Sequence, residues 1–279
     1  MHGIIVNISK THFHYFYLYS VGIAGWLWVS YTFFQPNHLA NHQELFQSLL
    51  GSFVVLLFFA LAIIARFTSF RLTGTMEIAI DSAFYLASTA IIGSQLTAVM
   101  ALLCMTFDSF RKIILSKFRD QKKEEPMLFL IGNTIFNGGL TSLGILDCGN
   151  WFGFDSHFLS SQKAESPLWL LPIMSVVLLS GHYILSAIHL WLGGMKLSEV
   201  FRNVVIKGIF YEIFLVPLSL VMVLSFDPKR PIVIILLGIT YIIFATIVKW
   251  LSNVKIELQK NLHTLEETKH ELQTNIATL

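Results

Sequence analysis

Long apolar runs alternate with short polar segments along the whole chain. A helix of about 20 apolar residues spans the ~30 Å hydrocarbon core of a bilayer. The pattern therefore predicts eight transmembrane helices separated by polar or basic loops. Their predicted ranges are 15–34, 45–65, 76–93, 95–107 extending towards 115, 127–146, 168–193, 208–225 and 231–250.

Two places in this pattern allow a second interpretation. The break at Gly93-Ser94-Gln95 is tight, so the third and fourth runs could form a hairpin or one broken helix. The first run follows Lys10 and resembles a signal peptide, but it is about 20 residues long and no A-x-A cleavage site follows it. We therefore interpret it as an uncleaved span.

The composition supports a membrane protein and excludes several other classes. Of the 279 residues, 54% are hydrophobic and 13% are charged, whereas about a quarter are charged in soluble domains. This excludes an ordinary cytosolic enzyme, a disordered chain and a disulfide-rich secreted module. Cys104 and Cys148 have no CxxC or metal-ligand spacing. The net charge of +2 gives no reason to expect nucleic acid as a partner.

The distribution of basic residues orients the predicted spans. If both termini lie inside, 16 of the 19 Lys and Arg residues fall on the inner side, and only Lys163, Lys229 and Arg230 fall outside. This bias follows the positive-inside rule and predicts both termini in the cytoplasm. The longest outer loop, 147–167, carries Trp151, Phe152 and Phe154, whose rings suit the membrane–water interface better than a ligand lid.

The last 29 residues, 251–279, change from apolar to amphipathic and predict a coiled coil. Leucines occupy heptad position a, whereas position d is partly polar. The polar d residues weaken the interface between the two helices but still favour one register. No Gly or Pro separates this segment from the last span, so it could transmit a rotation; a plain dimerisation tail is the alternative. The leucine row is Leu251, Leu258, Leu265, Leu272 and Leu279, and the d row is Val254, Asn261, Thr268 and Asn275.

The end of the chain gives a further expectation about its context. Leu279 occupies another heptad position, and no capping Gly or Pro follows it. We therefore expect residues 1–250 to form a transmembrane sensory bundle and residues 251–279 to link it to a cytoplasmic output domain beyond Leu279.

Ionisable residues inside the spans are costly, by about 2.5–3.5 kcal/mol at the helix centre, so each needs a partner or a role. Asp108 is explained by Arg111 and Lys112, three and four residues later on the same helix face. Glu77 lies near the inner end of the third run, with Arg71 close in sequence. Asp81 lies one turn deeper. Glu212 is poorly aligned with Lys207, so its partner is expected on another helix.

The remaining polar residues predict a cluster in the bundle interior that links the third, fifth, sixth and seventh spans. Such a cluster could bind a ligand or couple a signal, or it could be static hydrogen bonding between helices. Gly132, Gly138 and Gly139 would let the fifth helix pack closely on a neighbour. The candidate ligand-binding or signal-coupling residues are Asp81, Asn133, Asn137, His182, His189 and Glu212.

The histidines do not predict a metal site or a cofactor. His182 and His189 share a helix face but lie about 10 Å apart along the axis, too far for one metal ion. His38 and His42 have i, i+4 spacing, but Pro36 and the polar surroundings make a helix there uncertain. No catalytic residues are predicted.

The order of these features resembles the MASE-type membrane sensory domains of bacterial signalling proteins, which precede GGDEF, HD-GYP or histidine-kinase output domains. The resemblance rests on Asp108-Ser-Phe-Arg111-Lys112 before a basic loop, Phe136-Asn137 followed by small residues, the short loop 195–203, Pro217 and the tail. It implies a multi-pass homodimer in the bacterial inner membrane that senses a small-molecule or membrane cue without catalysis. It assigns no ligand residues.

Two other functions compete with a sensory, dimerising module. A small-molecule transporter or substrate-binding membrane component would favour internal repeats and broken helices. Pro172 and Pro217 interrupt two runs, but no convincing repeat is present and transport does not explain the tail. An intramembrane enzyme using Asp81, His182 or Glu212 lacks an HExxH, paired-Asp or GxSxG motif.

Overall fold

A computed structural model describes residues 2–73, 76–78, 80–118, 127–154, 169–227 and 230–277. This part of the chain is almost entirely helical, which confirms the predicted helical architecture, and it adds one two-stranded antiparallel hairpin. The elements in chain order are α1 (His2–Phe33), α2 (Pro36–Gln47), α3 (Leu49–Phe67), β1 (Phe70–Thr73), β2 (Met76–Ile78), α4 (Ser82–Ile92), α5 (Ser94–Phe118), α6 (Met127–Trp151), α7 (Leu170–Leu192), α8 (Leu197–Val200), a π-helical turn (Phe201–Ile206), α9 (Lys207–Ile213), α10 (Val216–Leu224) and α11 (Ile232–Ala277).

Three helices in the described residues are long and apolar enough to cross a membrane, judged by length and composition. They are Leu49–Phe67, Leu170–Leu192 and Ile232–Lys269. These helices agree with the second, sixth and eighth predicted runs and are compatible with a membrane protein. The count of eight spans stays a prediction.

The predicted third span, 76–93, is wrong in its first part. Strand β1 pairs with β2 so that Arg71 stands opposite Glu77, and α4 begins only at Ser82. The 11 residues of α4 rise about 16 Å, roughly half the hydrocarbon thickness. A short apolar run such as Met-Glu-Ile-Ala-Ile fits a strand as well as a helix, so periodicity alone could not separate the two.

Helices α4 and α5 are separate and form a hairpin, which resolves the alternatives at this break. Gly93 has φ +92°, a conformation that glycine adopts without steric cost. The amide of Ser94 donates to the Phe154 carbonyl oxygen at 2.8 Å. Across the hairpin, the Thr97 hydroxyl donates to the Ser88 hydroxyl at 3.1 Å, so the two helices pack side by side.

The aromatic residues at and just after the end of α6 were predicted to lie at the membrane–water interface, but one of them is buried in the core. Trp151 is 77% exposed, in agreement with an interfacial role, but Phe154 is buried at 1% exposure. Phe154 packs in the core because its carbonyl oxygen accepts the Ser94 amide and so draws the loop onto the α4–α5 turn. Residues 155–168 of this loop, among them Lys163, lie outside the described residues.

Glycines bring α1 and α6 into close contact. A Cβ on Gly25 would lie 2.4 Å from the Gly139 carbonyl oxygen, and one on Gly139 would lie 2.3 Å from the Gly22 carbonyl oxygen. The expectation that Gly139 permits close packing is thus correct, and the neighbour is α1. The contacts advance together along both chains, from Gly22 beside Ile135 to Gly25 beside Gly139, so α1 and α6 are parallel.

The directions of other helix pairs follow from their contacts. Ser94 lies against Gly149 and Met105 against Gly138, so α5 runs antiparallel to α6. Leu178 lies against Gly144 and His189 stacks on Phe136, so α7 is also antiparallel to α6.

The last helix, α11, is continuous over 46 residues and therefore about 69 Å long. Leu61 contacts Gly238 and the Phe67 carbonyl oxygen contacts Lys249, so α11 runs parallel to α3. Its apolar first half continues into the tail without a break, as the absence of Gly and Pro predicts. The side chains described between Leu251 and Gln273 are mostly exposed, and the coiled coil stays a prediction. Leu279 lies outside the described residues.

We predict that Gly139→Ala lowers the melting temperature of the detergent-solubilised protein, because the new methyl group meets backbone atoms of α1 that have no room to move away. Gly181→Ala is the matched control, since a Cβ there meets nothing within 4 Å. The control should be neutral or slightly stabilising, as alanine favours helix by up to about 1 kcal/mol over glycine. Equal melting temperatures for both variants would contradict this view of the α1–α6 contact.

Candidate functional site

Asp108 is the centre of a buried ion cluster at one end of the bundle. Its carboxylate is 2% exposed and contacts Arg111 Nη2 at 2.8 Å and Lys112 Nζ at 3.0 Å. Both cations follow it on α5 by one helical turn. The local explanation predicted for Asp108 is therefore confirmed.

Arg66 extends this cluster to two further elements. Its Nε lies 3.3 Å from Asp108 Oδ2, and its Nη1 lies 3.7 Å from Asp81 Oδ2. Arg66 is in the last turn of α3, Asp81 directly precedes α4, and Asp108 is on α5. One guanidinium therefore joins three helices through two carboxylates that are 4% and 2% exposed.

Glu212 has its partner on another helix, as expected. The Tyr183 hydroxyl on α7 donates to Glu212 Oε1 on α9 at 2.5 Å. The distance is short for a hydrogen bond between two oxygen atoms. The bond fixes α9 against α7 one residue before α9 ends at Ile213.

Phe67, the last residue of α3, connects the ion cluster to α11. The Arg111 guanidinium carbon lies 4.3 Å from the centroid of the Phe67 ring, a cation–π contact. The Phe67 carbonyl oxygen accepts a hydrogen bond from Lys249 Nζ at 3.2 Å. A cation at the C-terminal end of α3 also complements the helix dipole. Phe67 therefore contacts Arg111 through its ring and Lys249 through its carbonyl oxygen.

A second contact holds α11 against the segment that leads into α4. The buried Tyr241 hydroxyl donates to the Ile80 carbonyl oxygen at 3.1 Å. The Tyr241 ring packs edge-on against Phe84 at a centroid distance of 5.3 Å. Tyr241 of α11 therefore contacts one residue before Asp81 in the sequence, Ile80, and one residue after it, Phe84.

His189 belongs to a different group of side chains. Its ring stacks on His14 at 4.5 Å and on Phe136 at 4.9 Å, and it is 7% exposed. Tyr17 packs against the same Phe136 and donates a hydrogen bond to the Leu185 carbonyl oxygen at 3.2 Å. This aromatic stack joins α1, α6 and α7.

The single polar cluster predicted from the sequence is thus divided. Asp81 contacts Arg66, and Glu212, which is hydrogen-bonded to Tyr183, interacts electrostatically with both Asp81 and Arg66, whereas His189 lies in the aromatic stack. His182 is half-buried, with its ring edge-on to that of Tyr183. Asn133 and Asn137 are half-buried on α6, which packs mainly on α1 and α5.

The structure shows whether His38 and His42 lie in a helix and whether the described residues include a group that could hold a metal ion. His38 and His42 do lie in a helix, α2, which begins at Pro36 because proline is well suited to the first helical position. Among the residues with described placement, no group of three His, Cys, Asp or Glu side chains is arranged to hold a metal ion.

The sequence did not identify Arg66, Tyr183, Phe67, Lys249 or His14 as parts of these groups. A weak signal existed for Arg66 and Lys249, since each is a cation at the end of a long apolar run. Tyrosine and phenylalanine in apolar helices carry no such signal. Their roles depend on which helices are neighbours.

Comparisons with known protein families, curated proteins and solved structures found no match to this chain.

We predict that Arg66→Met destabilises the protein by about 3–5 kcal/mol, because it leaves the buried Asp81 carboxylate without its cation. Adding Asp81→Asn should recover part of this loss, since the amide needs no counter-charge. Arg202→Met, at an exposed position, should change stability by no more than about 0.5 kcal/mol. Thermal unfolding in detergent measures all three, and strictly additive losses in the double variant would contradict a direct Arg66–Asp81 interaction.

Proposed function

We propose that this chain is a membrane-embedded sensory and dimerising module that relays a cue through α11 to a cytoplasmic output domain. It has eight spans with both termini in the cytoplasm of a bacterium, in the manner of the MASE-type domains that it resembles. It performs no catalysis itself. The cue is a small molecule or a property of the membrane.

Helix directions support the eight-span arrangement. Numbered along the chain, α1 and α6 belong to the first and fifth predicted spans and are parallel, while α5 and α7 belong to the fourth and sixth and run opposite to α6. Helices α3 and α11, in the second and eighth spans, are parallel to each other. Alternating spans require these relations. The ion cluster then lies at the cytoplasmic end, where the positive-inside rule places basic residues.

The observation that carries the relay is the attachment of α11 to the ion cluster. Lys249 binds the carbonyl oxygen of the residue next to Arg66, and Tyr241 binds that of the residue before Asp81. Two residues after Lys249 the exposed tail begins, within the same helix. A rearrangement of Arg66, Asp81 and Asp108 therefore changes the anchor points of the output helix directly.

The proposed coupling residues fall into two classes on this view. Asp81 and Glu212 act in the network that contacts α11, and His182 lies beside it on α7. His189 acts in the stack that joins α1, α6 and α7, while Asn133 and Asn137 offer amide groups on α6. A cue that alters either group shifts helices that share α7, since Tyr183 and His189 are both on it.

We predict that the output of a fused reporter enzyme depends on helical phase at the start of the tail. Insertions of one to four residues after Leu251 should make activity rise and fall, with partial recovery near three to four residues, because each residue turns the helix by about 100°. Reporter activity per unit of membrane-inserted protein is the measurement. Equal insertions after the last residue of the tail serve as the control. Activity that is the same for all four insertions would reduce the tail to a passive tether.

A small-molecule transporter is the second candidate, and one feature favours it. Asp81 precedes the short helix α4, and Glu212 lies next to the break between α9 and α10 at Phe214-Leu215. Transporters place substrate sites at such discontinuous helices. The long tail has no part in that function. Phase-dependent reporter output together with no solute uptake by proteoliposomes separates the relay from the transporter.

A further inference from the structure

Helix α11 packs on the bundle with one face only. Ile234, Tyr241 and Ala245 are 0%, 5% and 1% exposed and lie on this face. Gly238 is on it too, and a Cβ there would lie 2.7 Å from Leu61 Cδ2, so the helix approaches α3 closely. Ile242 and Val248 border this face and are partly buried, and the opposite side of α11 is uncovered by the described part of the chain.

A regular stripe lies on the side of α11 opposite to the bundle. Its residues follow the 4-3-4-3 spacing of heptad positions d and a. The stripe begins in the apolar half of the helix and continues into the tail with unchanged phase. Its members are Thr240, Phe244, Ile247, Leu251, Val254 and Leu258, and exposure of the five apolar ones is 44–61%.

The rest of the uncovered surface of α11 does not keep this character. Ile239, at heptad position c, is 47% exposed in the apolar half. The c row then changes to Thr246, Asn253 and Lys260, whereas the a row keeps leucine as far as Leu272. Contact with lipid explains exposed apolar residues on either row inside the membrane. It does not explain why one row alone continues unchanged into the aqueous tail.

We propose that a second copy of this chain docks along this stripe, so that the dimer seam of the tail extends into the membrane as far as Thr240. The inference rests on the proposed function, which supplies the membrane and the dimer. Within the membrane, this seam lies on the face of α11 that points away from the bundle, about 140° around the helix axis from the buried Ala245. The same helix thus packs on its own bundle with one face and on its partner with the other.

Orientation and register favour a second copy over another helix. All copies have the same orientation in the membrane, and α11 emerges on the same side in each of them. Two α11 helices are therefore parallel. In-register pairing then places the two Asn261 side chains opposite each other at position d, where each amide can donate to and accept from the other. A register shifted by one heptad would place one Asn261 amide against Val254 and the other against Thr268, and an unrelated apolar helix would leave the amide without a polar partner. A polar residue at a core position specifies register in this way.

Cysteine crosslinking in native membranes tests the seam with matched neighbours. The full chain carries one added cysteine at a time: Thr240→Cys and Ile247→Cys in the stripe, Ile239→Cys and Thr246→Cys beside them at the same depth, and Leu258→Cys in the tail. The native Cys104 and Cys148 are buried, and the chain without added cysteine gives the background. Copper–phenanthroline oxidation followed by gel electrophoresis measures the disulfide-linked dimer.

The proposal predicts at least threefold more dimer at 240 and 247 than at 239 and 246, with strong linkage at 258. Linkage at 258 with equal yields at all four membrane positions would overturn the membrane seam and leave a dimer held by the tail, so the proposed relay would survive. Background yield at every position, 258 included, would overturn the seam and the dimeric relay together.

Discussion

The Arg66 guanidinium lies between two buried carboxylates, and the arrangement of the bundle at the C-terminal end of α3 depends on it. Ionised groups taken out of water cost several kcal/mol each unless they are paired and hydrogen-bonded. Asp108 has two cations on its own helix, but Asp81 has Arg66 as the cation it contacts among the described residues. Helices α3, α4 and α5 must therefore meet at this point. Separating these helices would leave a buried carboxylate without its counter-charge in an apolar environment.

This constraint extends to α11 through the residue after Arg66. Phe67 receives Arg111 on its ring and Lys249 on its carbonyl oxygen, so two cations from different helices are placed by one residue. The position of α11 is consequently tied to the ionic contacts, while the tail beyond it is free of the described bundle. A long helix with one anchored half and one exposed half converts a small change at the anchor into a larger displacement at its far end.

Features set by neighbours in sequence were predictable, and features set by neighbours in space were not. The Asp108–Arg111–Lys112 group and the continuity of α11 follow from i, i+3 and i, i+4 spacing and from the absence of Gly and Pro. The start of α4 at Ser82 could not be predicted because the run 76–80, which is apolar apart from Glu77, is too short to distinguish a strand from a helix. The division of the polar residues into an ion cluster and a histidine stack depends on the packing of α6 against α1. The glycines of α6 predicted a closely packed neighbour, but they did not show that this neighbour is α1.

Pulsed electron paramagnetic resonance gives the most direct test of the link between the ion cluster and α11. Spin labels at Phe110→Cys on α5 and Asn253→Cys on α11, both at exposed positions, report the distance between these helices within one copy when labelled chains are diluted with unlabelled ones. The account predicts one narrow distance distribution in the otherwise unchanged protein and a broader or shifted one after Lys249→Met. Lys260→Met, in the exposed tail, should leave the distribution unchanged. The same narrow distribution in both variants would show that α11 is placed independently of the ion cluster and would contradict the account.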